Sequence, residues 1–214
     1  MIDETFPFPA PFPAPFPAAS RLLHWLMAAM ILAMLFIGVG MVTSPDRYHW
    51  LLAVHRPLGA AILVLAALRL LNRQINPPPP LPRDMPVPLR VTAHLSHIVL
   101  YALMLGVPLA GWGALSAGGY PIVLYGAFHL PPILPQGAAL YTVLHRAHEI
   151  LALLLFATFL AHLAAALAHA LVFRDGVFGS MATLKSASRR PGPGSPVAHR
   201  RPPGHSATPD HGRG

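Results

Sequence analysis

The amino-acid sequence predicts an all-α integral membrane protein, a bundle of four transmembrane helices. Composition is the first observation: of 214 residues, 54% are hydrophobic and only 10% charged, and the mean hydropathy is +0.53. That is far more apolar than an ordinary soluble domain of this length. Second, the apolar residues collect into four runs, each long enough to cross about 30 Å of hydrocarbon as a helix rising about 1.5 Å per residue. Third, histidine is the commonest polar residue within these runs.

Residues 1–19, MIDETFPFPAPFPAPFPAA, form a Phe/Pro/Ala run. Alternating proline removes backbone donors and fixes φ, so an extended cytoplasmic arm is expected here; without a basic start or a continuous apolar core it is not a signal peptide. Ser20 is placed as the N-cap of a first span over 22–42, with His24 and Trp25 at its entry. After the polar turn TSPDRYHW a second span covers 51–71, starting with His55 and Arg56 and reading Pro57 as part of a first helical turn. Residues 72–90, NRQINPPPPLPRDMPVPLR, are too rich in proline for a helix and are assigned to an extramembrane loop.

The third span, 92–115, starts with His94 and His97 and contains Pro108, which predicts a kink, together with small residues that allow close helix approach in lipid. The connection SAGGYPIVLYGAFHLPPILPQGAA is apolar but broken by Gly and Pro. A folded loop with a short interfacial segment, Tyr120 and Tyr125 at headgroup level, is expected there. The fourth span, 146–173, carries His148 and His162. Their fourteen-residue separation brings both imidazoles to within about 40° of one helix face, about 21 Å apart along its axis. The tail, 185–214, is rich in Pro, Gly, Ser, Arg and His, and its composition is that of a disordered segment.

Of the 15 Lys and Arg residues, only Arg47, Arg56 and Arg146 fall on one side of this four-span arrangement and the other twelve on the opposite side. The bias places both termini in the cytoplasm. The net charge of +8 is therefore topogenic; no basic, aromatic-interleaved surface suggests nucleic acid. There are no cysteines, which excludes disulfides, iron–sulfur clusters, thiolate zinc and c-type haem attachment.

The topology sorts four histidines into two levels. His24 and His162 lie toward the cytoplasmic side, and His55 and His148 toward the opposite side. Two imidazoles per level are too few for structural zinc, but they are what a six-coordinate haem iron requires. Arg56 and Arg146 beside the outer pair, and Arg21 near the inner one, are candidate propionate partners. His145 competes with His148, although its position turns it about 100° round the helix from His162. His94 and His97 lie at the inner level and compete with His24. Glu149 is placed either as an acceptor orienting a ligand or as an acidic residue at a helix N-terminus.

The motifs SRLLHW, VHRPLGAAILVLAALRLLNR, AHLSHIVLY, SAGGYP, AHEILA and HLAAALAH followed by RDG together resemble the bacterial di-haem cytochrome b-561 family, the Ni-hydrogenase-type membrane cytochromes b, over about residues 19–184. The resemblance implies two b haems held by His24, His55, His148 and His162 in a domain spanning 20–184 of a multi-pass bacterial inner-membrane protein. It also implies a quinone site on the cytoplasmic side near His169, Phe173 and Arg174, with His94 and His97 as further quinone or propionate contacts. Phe173 stands where tryptophan is expected in that family.

The function so implied is electron transfer between a periplasmic donor, superoxide by resemblance, and ubiquinone, making the chain an oxidoreductase or an electron carrier. A second reading is the haem b membrane subunit of a larger dehydrogenase or hydrogenase, with a redox partner protein. A third is a non-redox, histidine-lined transporter. Membrane lipid and quinone are the expected partners.

Overall fold

The computed structural model describes residues 16–78, 86–124, 126 and 128–182. The Phe/Pro arm as far as residue 15, the tail 185–214 and Tyr125 lie outside the described residues. Four long helices dominate: α1 (Ala18–Thr43), α2 (Tyr48–Ile75), α3 (Val87–Ala117) and α4 (Ala138–Ala168). A 3₁₀ turn, Pro45–Arg47, joins α1 to α2. A π-helical turn, His169–Phe173, extends α4, and a short α5 (Val177–Ala182) follows. All four long helices have the length and apolar character needed to cross a membrane.

Each helix outruns its apolar stretch, for identifiable reasons. The N-cap of α1 is Pro17 and not Ser20. Ser20 lies in the first turn, where its hydroxyl accepts a 2.8 Å hydrogen bond from Asn72 Nδ2 and ties α1 to α2. Because α2 starts at Tyr48, Pro57 is in the helix interior and not in a first turn. Its missing N–H deprives the Ala53 carbonyl of an intrahelical partner. The expected loop over 72–90 is shorter at both ends, since α2 continues through Asn72, Arg73 and Gln74 and α3 starts at Val87, with Pro88 in the first turn where its missing donor costs nothing. Helix α3 runs unbroken through Pro108.

The connection between α3 and α4 contains a two-stranded antiparallel hairpin, β1 (Ile122–Leu124) and β2 (Phe128–Leu130), with Val123 opposite His129. It is tethered to α3, where Trp112 Nε1 donates to the Pro131 carbonyl (3.0 Å) and Ile133 N–H to Ser116 Oγ (3.1 Å).

In the core, Met27 and Ile31 of α1, Ile62 and Ala66 of α2, Leu100, Leu103 and Met104 of α3 and Leu155 of α4 form one buried cluster. Backbone packing follows chain order, α1 along α2, α2 along α3 and α3 along α4. Helix α4 approaches α1 and α2 far less closely, and across that wider separation the histidines meet.

Candidate functional site

The histidines gather at two depths. One is near the start of α1 and the end of α4, here called the terminal level; the other is near the start of α2 and of the apolar part of α4, the opposite level. At the terminal level the rings of His24 (α1) and His162 (α4) have centroids 6.4 Å apart with planes at 71°. At the opposite level His55 (α2) and His148 (α4) are 6.0 Å apart with planes at 73°. The second pair forms because α4 returns the same face to the interior after fourteen residues.

These separations suit a metal held between two imidazoles. A nitrogen–metal bond of about 2.0 Å, plus about 1.2 Å from each nitrogen to its ring centre, places the centroids about 6.4 Å apart. His97 of α3 also approaches His162, but at 5.6 Å, short for such an arrangement. Among the described residues no group of three or more His, Cys, Asp or Glu side chains forms a metal cluster.

Ring orientation at the opposite level has a clear cause. The Nδ1–H of His148 donates to the Val107 carbonyl at 2.9 Å, which fixes the tautomer and leaves Nε2 for a metal. The Val107 carbonyl has a second lone pair beyond the one its own helix uses, and His148 takes it. Pro108, whose missing N–H frees the carbonyl of Met104, does not create this acceptor. Gly111, one turn further on, lets the ring lie against the helix: a Cβ there would sit 3.0 Å from Nδ1 and 3.1 Å from Cε1. His145, by contrast, stacks on Tyr141 (5.5 Å, 14°) and pairs with Glu149 (3.5 Å), so it faces away from His55. Glu149 is bound instead by His145 and by Arg146 (2.8 Å) and orients no ligand; Arg146, 73% exposed, is directed to that carboxylate.

Two of the three expected arginines are placed differently. Arg21 is only 5% exposed, and among the described residues its Nε has no hydrogen-bond partner; nor, among them, do the buried Nε of Arg56 and the buried Nδ1 of His55. Unpaired buried donors of this kind call for an anionic or acceptor partner. Each histidine level thus has one arginine nearby in sequence with an unmet donor, which suits the carboxylates of a haem edge.

A cavity of about 250 Å³ opens between α2 and α3 beside the terminal pair, lined by Leu70, Arg73, Gln74, His97, Ile98 and Tyr101. The Arg73 guanidinium lies 5.8 Å from the centre of the Tyr101 ring. Of the residues assigned from sequence to quinone or propionate contact, only His97 lines this cavity. His94 is exposed and bonded to its own helix through the Arg90 carbonyl (3.0 Å). His169 binds Asp175 Oδ2 at 2.6 Å and packs on the Phe173 ring at 5.3 Å. Arg174 ends the π turn in the left-handed region (φ 50°), with its Nε on the Leu171 carbonyl.

Sequence reading missed Arg69 as a site residue: its Nη2 donates to His24 Nδ1 (3.1 Å) and its Nη1 to the Ser20 carbonyl (3.2 Å). Its signal was a charge embedded in the apolar run LVLAALRLL.

The amino-acid sequence is similar to those of known proteins. The chain is 33% identical over 124 residues to cytochrome b561 homolog 2 of Escherichia coli (strain K12), a match covering 56% of this chain and 65% of that protein, just under two thirds of its length. It is 28% identical over 165 residues to the probable superoxide oxidase CybB of Yersinia pestis, covering 76% of this chain and 93% of that one. A family model for prokaryotic cytochrome b561 matches residues 15–183, from the entry of α1 to the end of α5, and the chain belongs to that family.

Proposed function

We propose that the chain is a membrane electron carrier with two b haems, one between His24 and His162 and one between His55 and His148, delivering electrons to a quinone at the terminal level. The observation that carries the reading is the repeated imidazole pair, 6.4 Å and 6.0 Å between centroids, at two depths of one helix. Haem b, the cofactor of the family, supplies a reversible one-electron site when bound. The protein's part is to fix the ligands and to neutralise the carboxylates. His148 is oriented by Val107, and Arg21 and Arg56 present buried donors at the two levels. Each histidine pair would supply two protein ligands to a bound haem iron and so leave no position for oxygen, which favours electron transfer over oxygenation.

The cavity beside the terminal pair is assigned to the quinone ring. His97 stands between it and His162, and Arg73, Gln74 and Tyr101 provide hydrogen-bond donors for the ring oxygens. The Lys/Arg bias puts this level on the cytoplasmic side. The likeness to a probable superoxide oxidase supports superoxide as the donor at the opposite, periplasmic face. Two superoxide anions each release one electron and leave as dioxygen; the quinone takes up both electrons with two protons and leaves as quinol.

The test is haem stoichiometry by pyridine haemochrome in the wild type and in His24→Ala, His55→Ala, His148→Ala and His162→Ala variants. Two haems in the wild type and one in each variant support the pairing. Two haems retained in any one of the variants would refute it. Reduction of a short-chain ubiquinone by purified protein supplied with superoxide then tests the donor.

A further inference from the structure

Arg69 is a cation in the interior of an apolar run, three residues past the fully buried Ala66 (0% exposed), where ionisable groups are costly and usually serve a function. Among the described residues no carboxylate pairs with it. Its hydrogen bonds go to the His24 ring and the Ser20 carbonyl, and Ser20 is in turn fixed by Asn72. The bond to His24 needs an unprotonated Nδ1, whereas the bond to the Ser20 carbonyl does not depend on that tautomer and keeps the guanidinium beside the imidazole in either state.

The opposite level is built otherwise. There His148 gives its Nδ1 proton to a neutral carbonyl, and among the described residues Arg56 hydrogen-bonds to neither ring. Arg56 also sets a positive charge on His55, but the Val107 carbonyl works against it. At the terminal level the Arg69 cation has no such counterweight among the described residues. The carbonyl and Arg69 act on a bound iron in opposite directions. A carbonyl accepting the Nδ1 proton makes an imidazole a more basic ligand and favours the oxidised metal. A fixed positive charge beside a ligand favours the reduced metal, because reduction adds one negative charge. Once Nε2 of His24 is the ligand, its ring proton is on Nδ1. Arg69, which has donors only, offers that proton no acceptor and contributes only its charge.

We infer that Arg69 holds the reduction potential of the terminal-level haem above that of the opposite-level haem, so that electrons run downhill toward the cavity beside His97. The inference rests on the two-haem reading, and haem content measured first separates the two: a wild type with fewer than two haems defeats that reading. Given two haems, spectroelectrochemical titration of the wild type should resolve two components. His55→Ala retains the terminal site and His24→Ala the opposite one, which assigns each component. Arg69→Gln should lower the terminal component by at least tenfold in its one-electron equilibrium constant, about 59 mV, and leave the other in place. Arg69→Lys, which keeps the charge, should restore most of the shift; a purely structural role would not be rescued in this way.

The inference is overturned if Arg69→Gln moves neither component, or moves the one that His24→Ala retains. Should Arg69→Gln lose a haem, the comparison of His55→Ala with His24→Ala decides, and a terminal component at or below the opposite one overturns the inference.

Discussion

Gly111→Ala should weaken the binding of one haem while leaving the apoprotein about as stable. The added methyl would lie 3.0 Å from His148 Nδ1 and 3.1 Å from Cε1, whereas relaxed contacts of this kind start at about 3.5 Å. The ring must retreat by about half an ångström. That retreat stretches the 2.9 Å bond to the Val107 carbonyl, a loss of about 1 kcal/mol, and it turns the ring out of its staggered rotamer at a cost of about 1 kcal/mol. Together, about 2 kcal/mol weakens the opposite-level haem roughly 30-fold. In the other direction, alanine in a helix interior is about 0.8–1 kcal/mol more favourable than glycine. Because the His148–Val107 bond is also lost to the apoprotein, the two effects there roughly cancel: haem affinity should fall while apoprotein stability stays near that of the wild type. Gly106→Ala is the matched control on the same helix, since its methyl would meet Leu151 Cδ1 at an ordinary 3.9 Å. Haem stoichiometry and the low-spin spectrum, with His24→Ala as background to isolate the opposite site, provide the assay. Wild-type affinity and spectrum in Gly111→Ala would refute the argument.

Further outcomes follow from other contacts. Replacing Arg73 by Gln or Tyr101 by Leu should raise the KM for a short-chain ubiquinone about tenfold, equivalent to one hydrogen bond to a polar group, with haem content unchanged; an unaltered KM would show that the cavity is not the quinone site. Asp175→Asn removes the charge from the 2.6 Å contact with His169 while keeping an oxygen for Val177 N–H. It should cost about 1 kcal/mol and appear as faster amide exchange in α5; unchanged exchange would show that the pair does not hold the exit. Ser20→Ala strands the amide of Asn72 and should lower thermal stability by about 1 kcal/mol, which a melting curve of the detergent-solubilised protein will read.

Periodicity made a large part of this site legible. The fourteen-residue spacing of His148 and His162 put both on one helix face, and the 100° offset of His145 explains why that residue meets Tyr141 and not His55. The span count followed from apolar length alone. What escaped depends on contacts between distant elements. Arg69 was counted only as a topogenic charge, because its place against His24 is set by the register of α2 on α1, which neither helix encodes by itself. Ser20 has the chemistry of an N-cap, but Asn72 claims its hydroxyl. Proline misled in both directions: Pro57 sits inside a helix that starts at Tyr48, while Pro86 and Pro88 introduce a helix where a loop was expected. The hairpin at Ile122–Leu130 was hidden because three-residue strands bounded by Gly and Pro look like any broken loop.

The short α5 lies against α1, with Phe16 N–H on the Ser180 carbonyl (3.1 Å), Trp25 Nε1 on the Met181 carbonyl (3.1 Å) and the Trp25 ring beside Phe178. Because consecutive helices pack side by side, this clasp turns an open row of four into a closed ring whose seam lies between the first and last long helices. The His24–His162 pair straddles that seam. Circular permutation, with a short linker joining residue 182 to residue 16 and new ends cut in the α1–α2 turn, would put the break beside the opposite level while leaving the clasped seam covalently closed.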